Sequence, residues 1–171
     1  SVRHIVGVQL RNLATVGGSI YSRFGFSDVL TMFLALNASV ELYKGGVVPL
    51  AEYAQRPYDR DILVRVLVPK ENARFVYQSV RNSQTDFPVL TCAAAKLADG
   101  SIRAAIGARP GKAVLYTAAP EAGETAEEFA ARFAAEVKAD IKTESNLRGG
   151  AEYRRHLAGV LTKRAVCRLE G

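Results

Sequence analysis

Arg11-Asn12-Leu13-Ala14-Thr15-Val16-Gly17-Gly18-Ser19-Ile20 places two adjacent glycines between β-branched residues, with a hydroxyl on either side. Glycine has no Cβ and reaches φ > 0 freely, so a ligand can come close to the backbone N–H groups of such a run. Consecutive free N–H groups in a turn form a nest that suits a phosphate. Thr15 and Ser19 each add a hydroxyl donor. A tight turn by itself would also account for the glycines. Asp28 follows and is read as the start of a helix, because a carboxylate caps free N–H groups and favours the positive helix end. Val29, Leu30, Met32, Phe33, Leu34 and Leu36 are apolar almost all round, so this helix is expected to be buried.

Outward from this helix, Val40-Glu41-Leu42-Tyr43 alternates like a strand and Gly45-Gly46 marks a turn. Residues 50–61 read as a connector, with Pro57 marking irregular structure. A second segment opens near Asp61, where residues 62–68 are strongly β-forming and end at Pro69. Residues 74–80, 88–97 and 102–108 read as further strands, with Asp99-Gly100 as a hairpin signal. Val114-Leu115-Tyr116 suits one more short strand. Thr125-Ala126-Glu127-Glu128 has the spacing of a capping box. Phe129, Phe133 and Val137 then make one apolar helix face. A last helix after Gly149-Gly150 is expected to bury Tyr153, Leu157, Val160 and Leu161. Both helices fit one face of an antiparallel sheet, an α+β arrangement. The expected domains are residues 1–60 and 61–171.

The 171 residues suit one domain or two small ones, and the 49% hydrophobic content is ordinary for a globular chain. No apolar stretch is long enough to span a bilayer. Ser1-Val2-Arg3-His4-Ile5-Val6 does not read as a secretion signal, and the cysteine usage, with no CxxC pattern, makes a reducing, cytoplasmic setting the expectation. The net charge of +6 is compatible with nucleic acid, acidic membranes or anionic cofactors. The charges are spread, however. Only Arg154-Arg155 and Lys163-Arg164 are dense, and they read as the solvated face of the last helix or as a dock for an acidic partner. No nucleic-acid motif accompanies them. Cys92 and Cys167 form no metal-ligand pattern, and Cys92 reads as a buried thiol. His4 and His156 have no companions, so no metal site is expected. Gly107-Ala108-Arg109-Pro110-Gly111-Lys112 hints at a P-loop but is one residue short, contains Pro110 and is followed by Ala113. No nucleophile–base pair or carboxylate pair stands out, so no catalytic residue is assigned.

The run 11–20, then Ser27-Asp28-Val29-Leu30, then residues 34–42, resembles the flavin-binding subunits of molybdenum hydroxylases, such as xanthine dehydrogenase and aerobic carbon monoxide dehydrogenase. Residues 151–161 look like the C-terminal helix of the same family. The resemblance implies the second half of a PCMH-type FAD-binding domain followed by the family's C-terminal α+β domain. Carried over by position, it implies that Thr15, Val16, Gly17, Gly18, Ser19 and Asp28 contact FAD. It also implies that the strand of Leu63 approaches the flavin and that Phe87 covers the isoalloxazine ring, where a flat apolar face stacks well. The family usually carries Asn or Asp at the position of Ser19, often Pro where Phe24-Gly25-Phe26 stands, and often Lys where Gln78 stands. Its first FAD loop, Ala-Gly-Gly-x-Ser or Thr, has no counterpart before Thr15, so a fragment that is inactive in isolation is expected. The implied partners are a molybdopterin-binding large subunit and an iron–sulfur small subunit, with FAD passing electrons to NAD or another acceptor. The competing reading is an assembly module that binds partner subunits and no flavin. A basic RNA-binding domain is a more distant alternative.

Overall fold

The computed structural model describes residues 1–70 and 73–171. After a 3₁₀ turn at Val2–His4 come two short helices, α1 (Val8–Leu13) and α2 (Val16–Tyr21). Thr15 is the N-cap of α2, its hydroxyl accepting from Gly18 N at 3.0 Å. Gly17 and Gly18 therefore take helical backbone angles, and neither is among the glycines with positive φ. The expected nest-forming turn is instead a capped first helical turn, because a Thr followed by small residues satisfies the N-terminal donors locally. Helix α3 (Asp28–Ala35) is capped by Ser27, which accepts from Leu30 N at 3.1 Å. Asp28 is thus the first helical residue and not the cap.

Strands β1 (Ser39–Leu42) and β2 (Gly46–Pro49) form a hairpin, followed by the short helix α4 (Leu50–Tyr53) within the expected connector. Strand β3 (Leu63–Leu67) pairs antiparallel with β1, giving the order β2-β1-β3. The strand expected to open the second segment therefore completes the first sheet, and the seam between sheets lies after Leu67. Its β-forming composition identifies a strand but carries no information about which sheet it joins. Arg23 fixes the segment that follows α4. It is 1% exposed, adopts φ +51°, donates to the Tyr53 hydroxyl at 2.9 Å and to the Pro57 carbonyl, and stacks 4.1 Å over the Tyr53 ring.

Strands β4 (Arg74–Val80), β5 (Leu90–Lys96), β6 (Ile102–Gly107) and β7 (Val114–Ala118) make an antiparallel meander in sequence order. Helices α5 (Ala126–Asp140), with its complete Thr125/Glu128 capping box, and α6 (Ala151–Glu170) cover one face. There Phe129, Phe133, Val137, Leu157 and Leu161 meet Cys92, Ala94, Ala104 and Ile106. On α6, Leu157 and Leu161 are buried as expected, whereas Val160 is half-buried and Tyr153 is 49% exposed. Arg154, read from sequence as part of a solvated face, is wholly buried.

The sheet has a third layer. Residues 90–95 and all of β6 are buried, so neither face is open. Ala93 and Ala105 point away from α5 and α6 into a core shared with Leu30 and Leu34 of α3. Alanines admit a helix close to the sheet, and Thr31 of α3 shares a 3.2 Å hydrogen bond with Thr91 of β5. The loop before α3 is equally tight. A Cβ at Gly25 would overlap the Gly111 carbonyl oxygen, and one at Gly107 would overlap the Thr31 and Thr91 hydroxyls. The P-loop-like run after Gly107 is therefore a joint between the two units.

A candidate cofactor cleft beside helix α3

The loop between α2 and α3 meets the loop between β4 and β5 at the edge of the second sheet. Together they border a cleft of about 210 Å³ lined by Ser19, Phe24, Phe26, Asp28, Arg81 and Phe87, among others. Phe24 and Phe26 stack with centroids 5.0 Å apart, and Phe87 meets Phe26 edge-on at 4.7 Å. The three rings are 49%, 39% and 48% exposed, an apolar surface that water alone does not favour. Aromatic faces held in this way suit a flat conjugated ring.

A set of charged contacts fixes the cleft wall. Asp28 is 6% exposed, accepts a hydrogen bond from the Tyr77 hydroxyl and forms an ion pair with Arg81, both through Oδ1. Burial, then the Asp28 carboxylate, push the Tyr77 phenol far up, so it remains a protonated donor. Arg81 also donates to the Asp86 carbonyl. Asp86 takes the Phe87 N–H at 2.7 Å and the Arg148 guanidinium at 2.8 Å. Its carboxyl is held below the usual range, first by Arg148 and then by the Phe87 N–H.

Of the residues expected at a cofactor site, Ser19, Asp28 and Phe87 line this one cleft. The Ser19 hydroxyl turns back to the Thr15 carbonyl at 3.0 Å. Thr15, Val16, Gly17 and Gly18 do not line the cleft and occupy the surface turn that leads into it. The N–H groups of Val16 and Gly17 lie in the first helical turn, where no intrahelical acceptor exists. Nothing lies within 4 Å of a Cβ built at Gly17, so the backbone there is open to approach. Leu63 is elsewhere, on β3, packed against the core of the first sheet.

Phe24 and Phe26 were visible as an aromatic pair in the sequence, but their meeting with Phe87 was not. Tyr77, Arg81 and Arg148 gave no local signal, because their partners lie 49, 53 and 62 residues away. Among the described residues no group of three or more His, Cys, Asp or Glu is placed to hold a metal ion, and no helix is long and apolar enough to cross a membrane.

A flavin dinucleotide needs a flat apolar wall for its ring and donors for its phosphates. The aromatic triplet offers the first, and the open turn of α2 offers the second. The cleft is below the roughly 300–1,000 Å³ of complete ligand pockets. The residues present therefore fit FAD as one wall of a site.

Residues 1–71 match the family model described as the FAD binding domain in molybdopterin dehydrogenase. Residues 75–169 match the CO dehydrogenase flavoprotein C-terminal domain, which alone covers more than half of the chain. The uncharacterized protein YgfM of Escherichia coli strain K12 is 27% identical over 152 residues, covering 89% of this chain. The chain spans 57% of the length of that relative. Carbon monoxide dehydrogenase from Hydrogenophaga pseudoflava shares the fold with a TM-score of 0.82 at 23% identity, over 98% of this chain and 64% of that one. Quinoline 2-oxidoreductase from Pseudomonas putida 86 gives 0.79 at 20% identity, with the same shares covered. The two domain matches follow one another in order across an α+β fold of that type, and the chain belongs to the FAD-binding subunits of molybdenum hydroxylases of the CO dehydrogenase type.

Proposed function

We propose that this chain forms one wall of an FAD site and takes part in electron transfer within a molybdenum hydroxylase. The observation that carries the reading is the aromatic surface of Phe24, Phe26 and Phe87, assembled from both units of the chain beside the segment that matches the FAD-binding model. In this reading Phe87 and Phe26 cover the ring and exclude water from it. The Val16 and Gly17 N–H groups meet the anionic part of the cofactor. Asp28 acts from behind, holding Arg81 and Tyr77 so that the cleft keeps its shape. FAD, when bound, supplies the exchange of electrons between one- and two-electron partners, and the protein positions it. No side chain needs to move a proton, in keeping with a Tyr77 that stays protonated.

An iron–sulfur small subunit would deliver electrons and a molybdopterin-binding large subunit would hold the substrate. NAD or another acceptor would take the electrons away. The setting is the cytoplasm. The isolated chain is inactive, because one wall of a site must still offset the loss of ligand freedom.

One observation favours a second reading. The Ser19 hydroxyl and the Asp28 Oδ1 are both engaged within the protein, as an assembly module without flavin would have them. An FAD titration of the chain alone and of the complex isolated from its host separates the two. Binding by the complex, weakened by Gly17→Val, supports the flavin site. Unchanged FAD content in Gly17→Val, with Phe87→Ala equally silent, supports the assembly module. Asp28→Ala is the poorer probe, because it leaves Arg81 buried without its carboxylate.

A further inference from the structure

The loop that carries Phe87 is held from a distance. Arg148 meets the Asp86 carboxylate through Nε at 3.2 and 3.1 Å and through Nη2 at 2.8 Å, a two-pronged contact that fixes the plane of both groups. Asp86 accepts the N–H of Phe87 at 2.7 Å, so the same carboxylate joins the guanidinium to the backbone of the aromatic residue. Asn82 closes the other end of the loop, donating to the Arg148 carbonyl at 3.1 Å. The guanidinium carbon also lies 5.1 Å from the centroid of the Phe87 ring, within cation–π range.

Arg148 is itself held firmly. Its N–H donates to Asn146 Oδ1 at 2.9 Å, and Asn146 pairs with Gly149 through reciprocal backbone bonds. The buried Arg154 donates to the Gly149 and Glu144 carbonyls at 2.6 and 2.7 Å and to Asn146 Oδ1 at 2.5 Å. The Arg148 and Asp86 side chains are 34% and 32% exposed. An ion pair so open to water contributes little to stability. The geometry it imposes on Phe87 is its main consequence.

We propose that Arg148 is a positioning residue for the flavin: through Asp86 it fixes the Phe87 loop, and its guanidinium backs the Phe87 ring that faces the cleft. The proposal rests on the flavin reading above. It extends the site to the turn before α6, far from the glycine run in sequence.

The test is a double-mutant cycle in the complex isolated from its host, stripped of FAD and titrated with FAD again. Arg148→Ala should weaken FAD binding roughly fivefold, the scale of one aromatic pair, and alter the visible circular dichroism of the bound flavin. Arg148→Lys should recover part of both, since it keeps the charge and loses the fork. In a Phe87→Ala background, Arg148→Ala should add nothing. Wild-type affinity and an unchanged flavin spectrum in Arg148→Ala overturn the proposal, and so does an equal loss in the Phe87→Ala background. If Phe87→Ala alone leaves FAD binding intact, the ring is not the wall and the proposal fails with it. A wild-type complex that takes up no FAD refutes the flavin reading itself, a result separable from the others.

Discussion

Replacing Arg154 by Met keeps an unbranched side chain, two atoms shorter, and removes its five donors. Four acceptors lose this donor: the Val89 carbonyl at 2.9 Å, Glu144 at 2.7 Å, Gly149 at 2.6 Å and Asn146 Oδ1 at 2.5 Å, of which the last two keep the N–H groups of Asn146 and Arg148. The bond to Val89 is fully buried, and orphaning such a group costs about 1–3 kcal/mol. The other three acceptors sit on a loop that water can reach, and each lost bond there costs about 0.5–1.5 kcal/mol. Relief from burying a charge works in the opposite direction. The net loss should be about 2–4 kcal/mol, or roughly 5–15 °C in Tm for a chain of this size. Urea melts followed by circular dichroism, with the exposed neighbour Arg155→Met as control, give the comparison. Arg155→Met should stay within about 0.5 kcal/mol of the parent. If Arg154→Met matches that control, the arginine does not hold the 144–149 loop and the reasoning is wrong.

Other outcomes follow from single contacts. Gly25→Ala drives a methyl into the Gly111 carbonyl and should cost more than about 3 kcal/mol, whereas Gly17→Ala meets open space and should melt at or slightly above the parent temperature. Thermal melts of the two alanine variants side by side check both. The Arg132 guanidinium, then the Glu121 N–H, pull Glu124 down to about 2. A depressed carboxyl stabilises above its unfolded pKa, so this contribution is complete above about pH 4.3 and is lost as pH falls through 2. Glu124→Gln should flatten that part of the acid unfolding curve, and an unchanged slope would refute the assignment. Burial pushes the Cys92 thiol up to about 12, while Cys167 is exposed. A thiol reagent should therefore label Cys167 alone in the native chain and both cysteines in denaturant; native labelling at Cys92 would contradict the packing around it.

The capping box at Thr125, the helical spacing of Phe129, Phe133 and Val137, and the meander of β4 to β7 were legible because each rests on near neighbours in sequence. The glycine run was legible as a special backbone but not as a helix start, since Thr15 forms its cap only once Gly18 is helical. β3 was legible as a strand, yet its pairing with β1 depends on partners more than 20 residues away, such as Leu42 with Leu63 and Ser39 with Leu67. Asp28, Phe87 and Ser19 were named from the resemblance, and the structure gathers them at one cleft. Leu63 was named with them and lies apart.

By itself the sequence determined the longer helices α3, α5 and α6, most of the strands, the order of the two units and the family, because periodicity, caps and motifs are properties of local strings. The tertiary structure alone decided that Ala93 and Ala105 seat α3 against a sheet already covered on its other side. It alone turned Arg154 from a surface charge into the anchor of a loop, and it alone brought Phe24, Phe26 and Phe87 together with Arg148 behind them. The physical reason is that burial and ion pairing depend on which groups meet after the chain folds, and partners tens of residues apart leave no trace in the spacing of either one.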